Sequence, residues 1–104
     1  MILFEWDEAK AESNRRKHGV TFEEAMIVFD DPNAVFVEDR MVDGELRWHV
    51  IGFAAGTTLL LVAHTLHAAP NESKEIVRLI SARPATRRER ILYGKNCAKD
   101  ADGY

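Results

Sequence analysis

Polar and apolar positions near the start of the chain follow a helical period after one short apolar run. The run at 2–6 predicts a strand. A helix is expected over 8–18, because Asp7 is a suitable N-cap. A second helix is expected after Thr21, which has the spacing of a capping box with Glu24. Its apolar side chains form one stripe expected to face the core: Phe22, Ala25, Met26 and Phe29.

Alternating and continuous apolar runs then predict four further strands. These are expected at 34–38, 45–53, 58–65 and 75–84. Loops are expected at 39–44 and 66–73. Pro84 ends the last strand because it has no N–H for the ladder, and it suits the entry to a helix over 85–95. Residues 96–104 have no pattern and are expected to form a flexible tail.

The predicted element order is β-α-α-β-β-β-β-α in one domain, residues 1–95. Four consecutive strands joined by short connections most economically form an antiparallel meander. The sequence therefore predicts an α+β fold with a mainly antiparallel sheet. The two N-terminal helices are expected on one face of that sheet. The last helix is expected to border the other face, which would otherwise be open.

Composition limits the compartment and the class of protein. With 104 residues, of which 46% are hydrophobic, the chain has enough apolar material for a single core. It contains no apolar run of about 18 residues that would predict a membrane span, and its N-terminus lacks the pattern of a signal peptide. The single cysteine, Cys97, is compatible with a reducing compartment. A cytoplasmic protein is expected.

Charge is distributed unevenly along the chain. The formal net charge is −3, yet residues 74–95 contain seven basic and two acidic side chains. Residues 21–45, in contrast, contain eight acidic side chains and one basic side chain. A local basic surface on an acidic protein indicates an anionic partner. The acidic segment could in turn receive a basic protein.

Strand alternation indicates which candidate side chains share a face of the sheet. Arg47 and His49 lie on one side of their strand. Arg83 stands where the last strand gives way to a helix, which favours it as a phosphate ligand, whereas Arg78 is expected on the opposite face unless a bulge intervenes. His64 is expected near a strand end. Each of these residues also has a structural interpretation, as an ion-paired arginine or an edge histidine.

The first helix carries cations that allow two interpretations. Lys10, Asn14 and Lys17 have the spacing of one helical face. The basic residues of the last turn either stabilise the negative end of the helix dipole or contact phosphate. His64 and His67 are spaced so that, in a strand, their rings point to opposite faces, which disfavours a zinc site. No metal or cofactor is expected, and no phosphate-binding loop or nucleophile motif is present.

Several separated motifs, in order, resemble the BrnT family of bacterial type II toxins. They are FEWDEAKAESNRRKHGVTFEEA, GELRWHVIG, LLVAHT and RLISARPATRRERILY. The resemblance covers residues 2 to about 94. It implies a RelE-like fold, ribonuclease activity that stalls translation, and neutralisation by a co-encoded BrnA-type antitoxin. In that family the antitoxin has a ribbon-helix-helix domain that binds operator DNA, so the toxin is expected to reach DNA only through its partner.

Metal-free RNA cleavage, which the resemblance implies, requires proton transfer and cations for the phosphate. Arg83 is expected to hold the phosphate, assisted by Arg47 and by basic residues expected to contact RNA, namely Lys17, Arg78, Arg87 and Arg88. His64 is the acid or base expected, because histidine titrates in the useful range. Tyr93 is expected to orient or stack on substrate, and Glu89 is either a base or an ion-pair partner. The alternative is a non-catalytic module that binds protein or nucleic acid.

Overall fold

Five strands form one sheet that is flanked by three helices. The computed structural model describes residues 2–56, 58–68 and 74–102, with the backbone alone for 98–102. In chain order the elements are β1 Ile2–Glu5, α1 Glu8–His18, α2 Phe22–Val28, β2 Val35–Val42, β3 Glu45–Ala55, β4 Thr58–Ala68, β5 Glu75–Pro84 and α3 Arg87–Asp102. The predicted α+β fold and element order are confirmed.

The strand order across the sheet is β1-β5-β4-β3-β2. Strands β2 to β5 form the predicted antiparallel meander, and β1 joins β5 as a parallel edge strand. The β2–β3 turn places Asp43 and Gly44 at positive φ, +50° and +81°. Two positive-φ residues are the geometry of a tight hairpin turn, which explains the Asp-Gly pair.

The N-terminal helices begin and end where their sequences predict. The Asp7 carboxylate accepts hydrogen bonds from two backbone N–H groups of the first turn of α1, and Gly19 at φ +69° ends that helix. Thr21 and Glu24 form the reciprocal capping box of α2. Both helices therefore have their terminal backbone groups satisfied locally, and their positions against the sheet are set by side-chain packing.

Two apolar clusters lie on opposite sides of the sheet. We call the side covered by α1 and α2 the helix-packed face; its cluster includes Phe22, Val28, Val50, Val62 and Leu79. We call the other side the open face. It carries a smaller cluster at one end, where α3 packs: Ile51, Leu59, Leu61, Ala85 and Tyr93. In the part of the chain that the structure describes, no helix covers the rest of the open face, as predicted.

Asn14 fastens α1 to the edge of β5. Its side chain donates to the carbonyl groups of Val20 and Ala82, at 3.0 and 2.8 Å, and accepts from the Ala82 N–H at 3.0 Å. The residue is only 5% exposed. Because this side chain satisfies strand groups that β1 does not reach, α1 acts there as a substitute for a neighbouring strand.

Several predicted boundaries are wrong. Residues 39–42 belong to β2 rather than to a loop, and 66–68 extend β4. Residues 69–73 of the predicted loop lie outside the described residues. The last helix begins at Arg87 rather than at 85 and continues through Asp102, so the predicted tail is helical as far as that residue. Asn96 helps to explain the extension, because its side chain donates to the carbonyl group of Asn33 at 3.0 Å.

Candidate functional site

A β-bulge in β5 sets the direction of its side chains. On β4, Ala63 pairs with Ser81, whereas the next residue, His64, pairs with Leu79. Ile80 therefore has no partner of its own. An extra residue of this kind shifts the in-and-out alternation by one position. Two residues on opposite sides of the bulge therefore share a face where simple alternation would place them on different faces.

The bulge brings two arginines to the open face. Arg78 pairs with Thr65 before it, and Arg83 pairs with Leu61 after it. Thr65 and Leu61 are four positions apart in β4 and so lie on the same side of that strand. The two arginines that pair with them therefore share that face. The sequence placed Arg78 and Arg83 on opposite faces unless a bulge intervened, and the structure contains that bulge.

Three cross-strand rows make up the centre of the open face. Reading from β3 through β4 to β5, they are Arg47, Thr65 and Arg78; His49, Ala63 and Ser81; and Ile51, Leu61 and Arg83. The middle row contains two of the smallest side chains. Larger cationic side chains stand on either side of it. This arrangement places arginines from two strands around the small residues of the middle row. Arg78 Nη1 also lies 3.8 Å from the Glu5 carboxylate of β1.

Arg47 is held in place but lacks a partner for one of its hydrogens. Its Nε atom is buried and makes no hydrogen bond. Within the part of the chain that the structure describes, no carboxylate pairs with this side chain. A buried donor without an acceptor is unfavourable, and the positive charge of Arg47 has no carboxylate partner, so it is available to an anionic ligand.

Arg83 forms a two-pronged ion pair with Glu89. Nη1 and Nη2 donate to the two carboxylate oxygens at 2.8 and 2.9 Å. Hydrogen bonds from the Arg83 guanidinium and from the Thr86 N–H lower the pKa of Glu89 to about 2, although partial burial alone would raise it. Glu89 and Thr86 also form a capping box at the start of α3. An ion pair was one of the two roles predicted for Glu89, and the structure shows it. The arginine that it pairs with lies on β5 rather than on α3.

Arg87 and Arg88 occupy the first turn of α3 and are exposed. The positive end of the helix dipole makes this an unfavourable place for cations. Neither guanidinium has a carboxylate partner among the described residues. Their placement close to Arg83 therefore adds positive charge to this end of the open face without contributing to the stability of the helix.

His64 does not lie where a catalytic group is needed. Its ring is 0% exposed on the helix-packed face, edge-on to the rings of Phe29 and Phe36. Burial lowers the pKa of His64 to about 4, and its Nε2 atom has no hydrogen-bond partner. The strand continues to Ala68, so His64 is not at a strand end. The predicted acid or base is a core residue separated from Arg83 by the sheet.

His49 is the histidine that the open face presents. It is half-buried in the row next to Arg47, and its Nε2 lies 3.4 Å from the Asp39 carboxylate. A nearby carboxylate can hold an imidazole ring in one orientation. Sequence reasoning noted that His49 shares a face with Arg47 but did not choose it. The spacing of Arg47 and His49, two positions apart in one strand, is the sequence signal that could have identified His49.

Tyr93 anchors α3 instead of facing solvent. The residue is 8% exposed, and its hydroxyl donates to Asp31 Oδ2 at 2.7 Å, while its ring meets Phe53 edge-on. Burial and the Asp31 carboxylate both raise the pKa of Tyr93. Partial burial opposes ionisation of Asp31, but hydrogen bonds from the Phe53 N–H, Tyr93 and the Asn33 N–H lower its pKa. The contact with substrate that was expected of Tyr93 does not fit this position.

Lys17 lies away from the open face, across the edge of β5. There it lines a groove of about 200 Å³ between α1 and β5. Among the described residues, no group of three or more histidine, cysteine or carboxylate side chains is placed to hold a metal ion. No helix in the described ranges is long and apolar enough to cross a membrane.

Comparisons with known proteins point to one family. Residues 6–89 match the family model described as the ribonuclease toxin BrnT of type II toxin–antitoxin systems. The fold is similar to the crystal structure of the Brucella abortus ribonuclease toxin BrnT, with a TM-score of 0.58 and 26% sequence identity. The match covers 84% of this chain and 99% of the Brucella chain. No curated protein matches the chain.

Proposed function

Because the chain belongs to the BrnT family of ribonuclease toxins of type II toxin–antitoxin systems, we propose that it is a metal-independent endoribonuclease whose open face binds and cleaves RNA. Cleavage of RNA would stop translation, and a cognate antitoxin would neutralise the toxin. The proposed location of the protein is the cytoplasm, where it would encounter both RNA and the antitoxin.

One observation carries the proposal: three arginines from two strands share the open face, around a row with small side chains at its centre, although Arg78 also lies 3.8 Å from Glu5 and Arg83 is paired with Glu89. Arg47, Arg78 and Arg83 lie within three adjacent cross-strand rows. Guanidinium groups match phosphate oxygens and remain charged at all relevant pH values. They therefore suit the phosphate, on which negative charge builds up as the ribose 2′-oxygen attacks.

Proton transfer is assigned to His49. It adjoins Arg47 on the open face, is partly accessible, and has a carboxylate within 3.4 Å. An imidazole can remove the proton of the 2′-hydroxyl or supply one to the departing 5′-oxygen. His64, Tyr93 and Glu89 have supporting places instead, in the core, under α3 and at the start of α3.

The partner that neutralises this toxin is proposed to be a BrnA-like antitoxin with a ribbon-helix-helix domain. The acidic surface offers a complement to a basic segment of such a partner. Glu38, Asp43 and Glu45 are exposed around the β2–β3 hairpin. Operator DNA would be bound by the antitoxin, because the basic residues of the toxin are needed for RNA.

The test is cleavage of labelled RNA by the purified chain in the presence of EDTA. Wild-type protein is expected to cut RNA, and Arg47→Ala is expected to cut at least about 100-fold more slowly, the usual cost of a lost transition-state donor. Arg40→Ala removes the same charge from an exposed site on β2 and is expected to retain activity. Intact RNA after incubation with folded wild-type protein would contradict the proposal.

The second candidate is a binding module without catalysis. It is favoured by one observation, which is that the Arg83 guanidinium is already paired with Glu89. Such a module would bind RNA with strong salt dependence and leave it intact. His49→Gln separates the two functions, because it is expected to abolish cleavage while leaving RNA affinity within about threefold, an effect that only a catalytic site can show.

A further inference from the structure

A groove between α1 and β5 forms a second basic site beside the open face. Its walls are Lys10, Ser13, Asn14, Lys17 and His18 from α1, with Ile80 and Ser81 from β5. We call it the α1–β5 groove. It has a volume of about 200 Å³, and none of the acidic side chains that the structure describes lines it. Its polar groups are ammonium, imidazole, amide and hydroxyl groups.

The two lysines of the groove have no side-chain partner among the described residues. A cation in the last turn of a helix, such as Lys17, is explained by the helix dipole. Lys10 is not, because it lies in the first turn, where the dipole disfavours positive charge. The position of Lys10 is therefore better explained by a ligand than by helix stability.

The floor of the groove is rigid. Asn14 lies between the two lysines on the same helical face, and its three hydrogen bonds to Val20 and Ala82 fix α1 against β5. Lys10 and Lys17 are seven residues apart, or about 10 Å along the helix axis. Two ammonium groups at that separation can contact successive phosphates of one strand.

The α1–β5 groove is continuous with the open face. Ser81 lines the groove and also stands beside Ala63 in the middle row of the open face. β1 pairs with β5 only as far as Arg78, so the edge of β5 beyond that residue has no neighbouring strand. The element that borders this edge is α1, through Asn14, so a single RNA strand that crosses the open face near Arg83 and continues over the edge reaches the α1–β5 groove.

We propose that the α1–β5 groove is a phosphate-binding subsite for the part of a single-stranded RNA that extends beyond the cleavage position. This inference rests on the proposed function of the open face and adds the path of its substrate. The groove contributes affinity at a distance from the reacting phosphate. Lys10 and Lys17 bind the strand and take no part in bond cleavage.

The test compares Lys10→Gln/Lys17→Gln with a control that loses the same charge, Arg16→Gln/Arg40→Gln. The control cations are exposed and lie beside Glu12 and Asp39, away from the groove. Affinity for a single-stranded RNA of about 15 nucleotides is measured over a range of salt concentrations. The groove variant is expected to bind about tenfold more weakly, with a log–log salt slope smaller by about 1.4, the value for two phosphate contacts. Its kcat on saturating RNA should equal that of the wild type.

Two results would overturn the inference. Equal losses of affinity in both double variants would reduce the groove to general electrostatic attraction. Unchanged RNA affinity with weaker antitoxin binding would assign the groove to the protein partner. The binding measurement does not require cleavage, so wild-type protein that binds but does not cut RNA refutes the proposed function while the affinities still decide the role of the groove.

Discussion

The two faces of the sheet use similar residues in different ways. On the helix-packed face, apolar side chains surround His64, which is fully buried and kept neutral. On the open face, His49 and the arginines remain partly accessible, and Arg47 keeps a donor without an acceptor. The helix-packed face uses its side chains to stabilise the fold. The open face leaves cationic side chains partly exposed, and accessible cations are what an anionic ligand requires.

The largest expected effect is on catalysis, at Arg83. Arg83→Ala should lower the rate of RNA cleavage by at least about 100-fold, because the phosphate loses a guanidinium group. Arg83→Lys should recover only part of that loss, because an ammonium group keeps the charge but not the fork. The rate of cleavage of a labelled oligonucleotide is the measurement. Equal activity of Arg83→Ala and the wild type would remove the open face from the mechanism.

The next effect is on stability, through His64. Its folded-state pKa of about 4 lies below the ordinary value of 6.5, so the unfolded chain binds more protons between these values. Stability should therefore fall as pH decreases from about 6.5 towards 4, by an amount on the order of 2 kcal/mol between pH 6.5 and 4.5. Glu89, whose pKa is lowered from 4.5 to about 2, loses its contribution only below that window. Urea unfolding at a series of pH values measures this.

His64→Leu makes the same comparison from the other side. Leucine has a similar volume and removes the unpaired ring nitrogen, so stability should become nearly independent of pH between 6.5 and 4.5. Cleavage of RNA at neutral pH should stay within about threefold of the wild type, because the ring faces away from the arginines. A 100-fold loss of activity in well-folded His64→Leu protein would restore the catalytic role predicted from the sequence.

Tyr93→Phe should show a smaller effect, and on stability only. The variant loses the hydrogen bond from the hydroxyl to Asp31, which lies at 2.7 Å, and keeps the ring contact with Phe53. A cost of about 1–2 kcal/mol in the free energy of unfolding is expected. Cleavage should be unchanged at saturating RNA. If activity falls while stability does not, Tyr93 contacts the substrate.

Glu89→Gln should have the smallest effect. The amide oxygen can still accept from Arg83 and from the Thr86 N–H, so Arg83 stays oriented. Cleavage within about threefold of the wild type is expected, because a carboxylate with a pKa of about 2 is a weak base. The pH dependence of kcat in this variant should match that of the wild type. A loss of about 100-fold would identify Glu89 as the base.

The sequence predicts most of the fold because its local signals agree with the tertiary structure. The Asp7 cap, the Thr21 capping box and the Asp43-Gly44 turn each specify one boundary, and each is found. The end of β2 was missed because Asp39 and Arg40 are polar residues of an edge strand, and an edge strand needs no alternation to remain solvated.

The candidate site was predicted less well, and the bulge at Ile80 is the main cause. A bulge residue cannot be recognised in a run such as RLISAR, yet it changes which residues before it share a face with those after it. Alternation alone could not place Arg78 with Arg83, nor His64 away from both. His64 was chosen because it was expected at a strand end, whereas β4 continues to Ala68 and burial, which only the structure gives, distinguishes the two histidines.

The order in which this chain leaves the ribosome gives the β1–β5 pairing a further consequence. Residues 2–5 are synthesised early but pair with residues 75–78, which are made much later. Likewise, Asn14 can form its hydrogen bond to Ala82 only after that residue has been made. Arg78, Arg83 and the wall of the α1–β5 groove on β5 all belong to the last third of the chain. We expect the nascent chain to lack a complete RNA site until synthesis is nearly finished. The arginines of the open face therefore share one surface only after nearly the whole chain has been made.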